Sequence, residues 1–437
     1  MAFKFKQEWA IVSLAVVTVI YLGIYFFGSS LTGSAVKEIH FADRMTPAHL
    51  MLIENYNKMH EGRVKVIPVD FPNFDFSTNE RKELLARSMR AKEDGIDVYA
   101  VDIIWVQRFA KWSEPLGQYF TETERKRILP QAIYSCFFEG ELVSIPFNRV
   151  ASVMYYREDL IRKMKNGDQL ILDLDAGISW EKFIKYHQSS SIPNPWYIFP
   201  AANYEGLICV FTELLLSLKP DYFDVYGFNF RTTEAQKALQ LMVDLVNKYK
   251  TTPEIVTEFS EIPSFEYFVK HDALFIWGWP TYGKDFVDTS IDTSIVNRTK
   301  WVNVPHFEGG NPASVLGGWN LMVSRFSEHK QETADFIKYL ISDEAQALIH
   351  EKAGYFPVVK SFYDDSLYLG RYPELRQYKK LISSGVNRPA HTDYTRFSEI
   401  ITTHLVEAIR MEVSVKEALD RASVAIGSDS QSSTTGN

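Results

Sequence analysis

The stretch KEIHFADRMTPAHLMLIENYNKMHEGRVKVIPV, residues 37–69, decides the fold class of this chain. It begins with a strand-like segment, Lys37–Ala42, and ends with a second one, Val64–Val69. Between them we expect a helix with Thr46 as its N-cap and Pro47 at its first position, where the missing backbone N–H has no intrahelical partner to lose. A strand, a helix and a second strand in this order are typical of a parallel sheet with helices on its faces.

The same alternation continues towards the carboxyl end. A helix near Asn79–Lys92 precedes an apolar run, Val98–Val106, that only Asp102 interrupts. Beyond Gly310 the chain becomes mainly helical in pattern. The later helices are expected near Trp180–Gln188, Gly206–Leu218, Glu234–Lys250, Lys330–Ile341, Asp343–Lys352 and Ser398–Val413, with a last one opened by Ser414 and Glu417. This pattern predicts two α/β lobes with a helical carboxyl end.

Composition excludes several classes of protein. Of the 437 residues, 46% are hydrophobic and 23% are charged. Both fractions are near the globular averages, which argues against wholesale disorder and against a multi-span membrane protein. The formal net charge of -8 argues against a nucleic-acid partner, because such proteins normally present a basic face. Two cysteines, Cys136 and Cys209, are too few for a disulfide framework or a cysteine zinc site.

The amino-terminal region contains an uncharged apolar run, Trp9–Phe27, long enough to cross a bilayer as one transmembrane helix. Lys4 and Lys6 precede it, so the positive-inside rule leaves the amino terminus in the cytoplasm. An alternative interpretation is a secretory signal cleaved near Gly33–Ala35, which would leave the body free in the periplasm. Both interpretations place residues 36–437 outside the cytoplasmic membrane.

Motifs of catalysis are absent from the sequence. It contains no G-x-S-x-G elbow, no phosphate-binding loop, no H-E-x-x-H and no dinucleotide fingerprint. The histidines are scattered. The carboxylate pair Asp173 and Asp175 lies in a polar, loop-like stretch, where solvent is expected to keep the pKa of a carboxyl group in its usual range. We therefore expect no enzyme, no catalytic residue, no metal site and no cofactor; an exported glycan-active enzyme is the least favoured alternative.

Aromatic residues beside glycine, proline and small polar residues are the distinctive feature. Trp105 closes a strand shortly after Asp102. The other examples are Trp277-Gly278-Trp279-Pro280 with Tyr282, Gly317-Gly318-Trp319-Asn320, and Trp196-Tyr197 in a proline-rich loop. A flat ring can cover the C–H face of a sugar while nearby polar groups bind its hydroxyls. Taken singly, each of these tryptophans is also compatible with a core position. Open α/β sheets bind ligands beyond the carboxyl ends of their strands, which favours a binding site here.

At these segments the chain resembles the family 1 extracellular solute-binding proteins, the sugar-capturing components of ABC importers of the maltose and trehalose type. The resemblance extends from about residue 37 to 425. It is carried by the order and spacing of Asp97–Leu116, Ile145-Pro146, Tyr155–Leu160, Ser179–Phe183, Tyr204–Leu207, Phe268–Tyr282, Pro305–Pro357, Arg388-Pro389 with Tyr394, and Glu417–Leu419.

The resemblance implies a type II periplasmic-binding-protein fold, in which two α/β lobes close on a ligand by a hinge motion. It implies lobe 1 from 36–145 plus 306–355 and lobe 2 from 146–305 plus 356–426. Residues 1–35 would form the membrane anchor, or an uncleaved signal, with its linker. Residues 427–437, which are small and polar, would form a disordered tail.

The resemblance also implies which residues bind the ligand. Trp105, Trp279 and Trp319 are expected as stacking surfaces. Asp102 and Arg388 are expected to bind hydroxyl groups; the alternative for Arg388 is a salt bridge between the lobes. Asn148, Tyr282 and Gly318 complete the expected ligand-binding set.

The function implied is the capture of a carbohydrate, of oligosaccharide type, and its delivery to the permease subunits of an ABC transporter. A monomer that carries out no covalent chemistry is expected. The alternative is a membrane-tethered ligand sensor that reports occupancy to a signalling partner, for which the expected anchor is the supporting feature.

Overall fold

The computed structural model describes Thr18 and residues 36–70, 78–91, 95–282 and 293–434. Its strands are β1 (Lys37–Asp43), β2 (Val64–Asp70), β3 (Ile96–Asp102), β4 (Phe137–Phe138), β5 (Glu141–Leu142), β6 (Ile145–Ala151), β7 (Val153–Arg157), β8 (Tyr197–Ile198), β9 (Phe275–Gly278), β10 (Thr299–Val302), β11 (Ser314–Val323) and β12 (Gly385–Val386).

Helices cover these strands. They are α1 (Pro47–Met59), α2 (Thr78–Ala91), α3 (Val106–Phe109), α4 (Glu122–Lys126), α5 (Pro130–Ile133), α6 (Glu158–Ile161), α7 (Gly167–Ala176), α8 (Trp180–Ser189), α9 (Glu205–Leu218), α10 (Tyr222–Tyr226), α11 (Thr233–Asn247), α12 (Glu261–Lys270), α13 (Lys330–Leu340), α14 (Asp343–Ala353), α15 (Ser361–Asp364), α16 (Ser366–Arg371), α17 (Leu375–Ser383), α18 (Tyr394–Ile409) and α19 (Val415–Thr434). Within the described residues, the helices expected after residue 46 are present, with ends displaced by a few residues.

The first sheet contains the stretch quoted above. Its order is β12-β11-β3-β1-β2, and β6 also pairs with β11. The β1 strand is parallel to β2 and β3, as predicted, whereas β11 is antiparallel to β3 and β6. Six residues of β3 are buried and only Asp102 at its carboxyl end is partly exposed. The site residues that follow β3 therefore project from a rigid central strand.

The second sheet has the order β10-β7-β9-β8. Only β8 and β9 are parallel; β7 is antiparallel to both β9 and β10. The expectation that the parallel pattern recurs in the second lobe is therefore wrong for these strands. The reason is the direct connection from β6 through Ser152 to β7, which carries the chain from one sheet to the other without a crossover helix.

The chain passes between the two sheets at Ser152 and again between β10 and β11. Strand β6 still pairs with β11 of the first sheet, and β12 does so as well. The lobe limits given above stay a prediction. Strands β6 and β12, which fall mainly within the limits given for lobe 2, belong to the first sheet.

Helix caps follow the sequence signals. Thr46 accepts a hydrogen bond from the His49 backbone N–H at 3.4 Å, and Pro47 is the first residue of α1. Ser414 accepts from the Glu417 backbone N–H at 3.2 Å at the start of α19. This last helix continues to Thr434, beyond Gly427, where the disordered tail was expected to start. The side chain of Ile426, just before that point, is buried.

The expected transmembrane segment Trp9–Phe27 lies outside the described residues, apart from Thr18. Within the part of the chain that the structure describes, no helix has the length and apolar character needed to span a bilayer.

Candidate functional site

Strand register brings three of the expected site residues side by side. In the pairing of β3 with β11, Asp102 lies opposite Trp319. In the pairing of β6 with β11, Asn148 lies opposite Trp319 from the other side. A carboxylate, an indole and an amide from three separate parts of the chain thus meet at one point of the first sheet.

Gly318 gives this point its backbone geometry. Its φ is 129°, in the region that residues with a Cβ rarely adopt, and the pairing of β11 with β6 shifts register just after Trp319. Added at Gly318, a Cβ would lie 2.4 Å from the Asn148 carbonyl oxygen. Gly318 and Trp319 thus form an irregularity inside a long strand that starts at Ser314.

Asn148 holds Trp319 in place. Its Oδ1 atom accepts a hydrogen bond from the Trp319 backbone N–H at 3.3 Å. The Asn148 side chain is buried, so in this arrangement it orients the strand that carries the indole.

The two first-lobe indoles that were expected to bind ligand, Trp105 and Trp319, have different surroundings. Trp105 is only 1% exposed, and its ring meets Trp319 edge-on with a centroid separation of 5.6 Å. Trp319 remains partly exposed, with the Arg81 guanidinium 4.0 Å from its ring centroid. In this arrangement Trp105 packs in the core beside Trp319 and Phe109, and almost none of its ring is open to solvent.

Arg81 belongs to a charged group that sequence reasoning missed. It forms a buried ion pair with Asp43 at the end of β1, and His49 Nε2 lies 3.3 Å from the other Asp43 oxygen. Burial alone would raise the pKa of Asp43, but Arg81 and His49 outweigh it and hold this pKa below its usual value. The Asp43 carboxylate is thus ionised at neutral pH and fixes the guanidinium over Trp319.

Arg388 forms a second charged group. Its side chain is 2% exposed and donates from Nη2 to Asp102 Oδ1 at 3.2 Å and from Nη1 to Glu205 Oε1 at 2.8 Å. Tyr394 also donates to Glu205 Oε1, at 2.7 Å. Burial raises the pKa of Glu205, and Arg388 opposes that shift. The salt-bridge interpretation of Arg388 therefore describes its contacts here: it connects the end of β3 to the start of α9.

A cavity of about 220 Å³ borders Arg388. Ile104, Gln107 and Tyr134 form part of its wall, together with Asn387 and Pro389 beside the arginine.

Trp279 approaches the same strand from the second sheet. A methyl group added at Gly317 of β11 would lie 3.2 Å from two carbons of the Trp279 ring. Trp279 is partly buried and meets Trp277 edge-on at 5.2 Å. Burial raises the pKa of the neighbouring Glu261 to about 7, against the lowering effect of Tyr204 and Trp279. The Trp279 ring thus lies between the sheets, beside a carboxyl group that titrates near neutrality.

The remaining aromatic residues of the expected set are in the core. Tyr282 is 2% exposed; its ring is parallel to that of Tyr155 at 6.1 Å and lies against Gly278. Trp277 and Trp196 are also buried. These residues occupy core positions because burial of a large ring is favourable. The neighbouring glycine or proline allows close packing and does not mark an open surface.

Sequence signals for the missed residues differ. Glu205 lies in Tyr204–Leu207, one of the segments that carry the family resemblance. It could therefore have been named from the sequence as a candidate partner of Arg388. Asp43 and Arg81 are far apart in sequence and meet only through the placement of α2 beside β1. Within the described ranges, no group of three His, Cys, Asp or Glu side chains is arranged to hold a metal ion.

Comparison with known proteins gives a family. The family described as bacterial extracellular solute-binding protein matches residues 41–347. A protein of Deinococcus radiodurans named "Probable ABC transporter-binding protein" is 25% identical over 326 residues, 74% of this chain and 76% of that protein.

Solved structures share the fold. Maltose-bound MalE3 of T. maritima has a TM-score of 0.78 and 26% identity, covering 90% of this chain and 99% of its own. The GacH receptor of Streptomyces glaucescens GLA.O, solved unliganded and with acarbose, has a TM-score of 0.72 and 19% identity, covering 90% of this chain and 98% of its own. The two-lobe α/β architecture is therefore that of the solute-binding proteins of ABC importers.

Proposed function

Because the chain belongs to the bacterial extracellular solute-binding proteins, we propose that it captures a carbohydrate between its two sheets and delivers it to an ABC permease. The observation that carries this proposal is the meeting of Trp319 with Asp102 and Asn148 on one lobe, opposite Trp279 of the other. Stacking rings and charged hydrogen-bonding groups at a lobe junction suit a polyhydroxylated ring. Binding and release need no covalent step.

The roles of individual residues follow from their contacts. Trp319 and Trp279 are the proposed stacking surfaces, because both rings keep part of their area uncovered. Asp102 is a proposed hydroxyl-binding group. Arg388, which is ion-paired with Asp102, is proposed to share that role from the wall of the adjoining cavity, and Asn148 and Gly318 position Trp319. Trp105 and Tyr282 act behind these residues as core support.

The body of the protein lies outside the cytoplasm, as in its family. We further propose that it acts as a monomer held at the membrane by residues 9–27; the free periplasmic form after cleavage is the alternative. Mass spectrometry of the protein isolated from membranes and from the periplasmic fraction distinguishes these forms, since a retained anchor leaves residues 9–27 attached.

A panel of mono- and oligosaccharides tests the proposed function. We expect maltose or a related sugar to raise the Tm of the full chain and change its tryptophan emission, because ligand stabilises only the folded state. A panel in which no sugar changes either quantity would contradict carbohydrate binding.

Alanine substitution tests the two stacking surfaces. Trp279→Ala and Trp319→Ala should each weaken sugar binding by about 1–3 kcal/mol, as expected when a large apolar surface loses its partner. Isothermal titration calorimetry of each variant measures the change. Trp301→Ala in β10 is the matched control and should leave affinity unchanged. Wild-type affinity together with a lowered Tm would assign the two rings to the core instead.

A further inference from the structure

A buried carboxyl group lies where the chain crosses between the two sheets. Glu213, on α9, is 4% exposed. Its Oε1 atom accepts hydrogen bonds from the Ser152 hydroxyl and, at 3.2 Å, from the Val315 backbone N–H. Its Oε2 atom accepts from Trp277 Nε1–H at 2.8 Å. Because Ser152 joins β6 to β7, Val315 is in β11 and Trp277 is in β9, this one carboxyl group connects both sheets and the segment between them.

The same helix holds the second crossing one turn later. Ser217 Oγ accepts from the Phe307 backbone N–H at 3.2 Å, and the Ser217 carbonyl accepts from the Asn311 backbone N–H at 3.0 Å. Phe307 and Asn311 lie between β10 and β11. Helix α9 therefore binds both crossing segments, the first through Glu213 and the second through Ser217.

Three hydrogen-bond donors surround the Glu213 carboxyl group. Among the described groups that affect its pKa, none is a cation. The ionisable groups coupled to it are Tyr197 of β8 and Cys209 of α9. Burial keeps the pKa of both well above its ordinary value, so both are neutral around pH 7. From β9, β11 and the Ser152 crossing it receives only uncharged donors. Burial raises the pKa of Glu213 to about 8, against the lowering effect of those donors.

We propose that the charge state of Glu213 controls the hinge, because it sets how freely the two lobes move relative to each other. Given the proposed sugar binding, it also sets how tightly the lobes close on a sugar. When the group is ionised, a rotation of the sheets that draws Val315 or Ser152 away leaves a buried anion with fewer donors, which is costly. When the group is neutral, the same rotation carries no such penalty. Ionisation therefore restrains the hinge in the described arrangement.

Distances between spin labels on the full chain test this directly. Lys58→Cys in α1 and Lys270→Cys in α12 place labels on exposed positions of the two lobes, and the native Cys136 and Cys209 are buried. Without sugar, we expect the distance distribution to narrow between pH 6.5 and pH 9, with a midpoint near the Glu213 pKa of about 8. In Glu213→Gln, which cannot ionise, the distribution should not change. The same narrowing in both proteins, or none in the wild type, overturns the proposal.

Two further variants keep the test decisive. Ser152→Ala removes one donor to the carboxylate and should move the midpoint to higher pH, which serves if Glu213→Gln folds poorly. Glu254→Gln, an exposed glutamate, should behave as the wild type. A Ser152→Ala midpoint equal to that of the wild type would show that the titrating group is not Glu213.

Sugar affinity gives the functional arm. With maltose as the probe, we expect the Kd at pH 6.5 and at pH 9 to differ about fivefold in the wild type, on the scale of ordinary coupling between sites. The two values should be equal in Glu213→Gln. Failure of maltose to bind at any pH counts against the proposed function for this sugar, while the distances measured without sugar still decide the role of Glu213.

Thermal stability gives an independent pH readout. Glu213 is an acid with a folded-state pKa of about 8, above its ordinary value of 4.5. Its contribution to stability is full below the ordinary pKa and is lost as pH rises through the folded-state pKa. The Tm advantage of Glu213→Gln over the wild type should therefore grow from pH 5 to pH 8 and then level off. A constant difference across this range would contradict a raised pKa.

Discussion

Replacing Arg388 with methionine should lower the free energy of unfolding by about 3–5 kcal/mol at pH 7.5, because it leaves the buried Glu205 carboxyl and the partly buried Asp102 carboxyl without their shared cation. Asp102 and Glu205 both contact this guanidinium, at 3.2 and 2.8 Å. Sugar binding should be lost as well, since the end of β3 and the start of α9 would no longer be held together. Urea unfolding measures the first effect and calorimetry the second.

The pH dependence of this variant identifies the cause. Arg388 opposes the burial that raises the pKa of Glu205, so its removal raises that pKa further. The Glu205 carboxyl group of the variant is then neutralised at pH 5 more readily than that of the wild type, and the stability loss should be smaller at pH 5 than at pH 7.5. Arg371→Met is the matched control: Arg371 is exposed and paired with Glu351, and should cost less than about 1 kcal/mol. Equal losses for the two arginines would show that the buried group contributes no more than a surface pair.

Gly318→Ala should destabilise the protein by about 2–4 kcal/mol, because no side chain fits the backbone at this position. The φ of 129° is unfavourable for alanine, and its methyl group would meet the Asn148 carbonyl at 2.4 Å. Relief of this contact requires β11 to move away from β6, which would also displace Trp319 from Asp102. Denaturant unfolding measures the stability, and titration with sugar measures the displacement.

An exposed helical glycine provides the comparison. Gly370 in α16 has no atom within 4 Å of an added Cβ. Gly370→Ala should leave stability unchanged or raise it by up to about 1 kcal/mol. A Gly318→Ala change as mild as Gly370→Ala would show that β11 accommodates a side chain at this position without moving away from β6.

The sequence predicted the fold where local signals agree with the final environment. Thr46, Pro47 and the apolar alternation of residues 37–106 act within single elements or between neighbours, so propensity and pattern suffice. The direction of the second sheet was not predictable in the same way. It depends on the chain passing directly from the first sheet to the second at one residue, Ser152. No local sequence pattern distinguishes such a crossing from a strand that continues within one sheet.

The site was predictable in part for the same reason. Asp102 and Trp319 could be named because strand ends present ligand-binding residues, and the register places them together. The sequence left the core and the ligand-facing interpretation of Trp105 both open, because Trp319, which packs against it, is far along the chain. Asp43 and Arg81 were missed because a charged residue carries no signal of its partner until the helices are placed.

Strand β11 also determines the order in which the molecule can be completed. It fills the gap between β3 and β6, yet it follows every strand of the second sheet in the chain. The first sheet therefore cannot close while the ribosome or an export channel still holds residues 314–323. Its central pairings have high sequence separation, which makes folding slow. A nascent chain that ends before β11 would expose the buried edges of β3 and β6, so we expect the first sheet to be completed only after most of the polypeptide has been released.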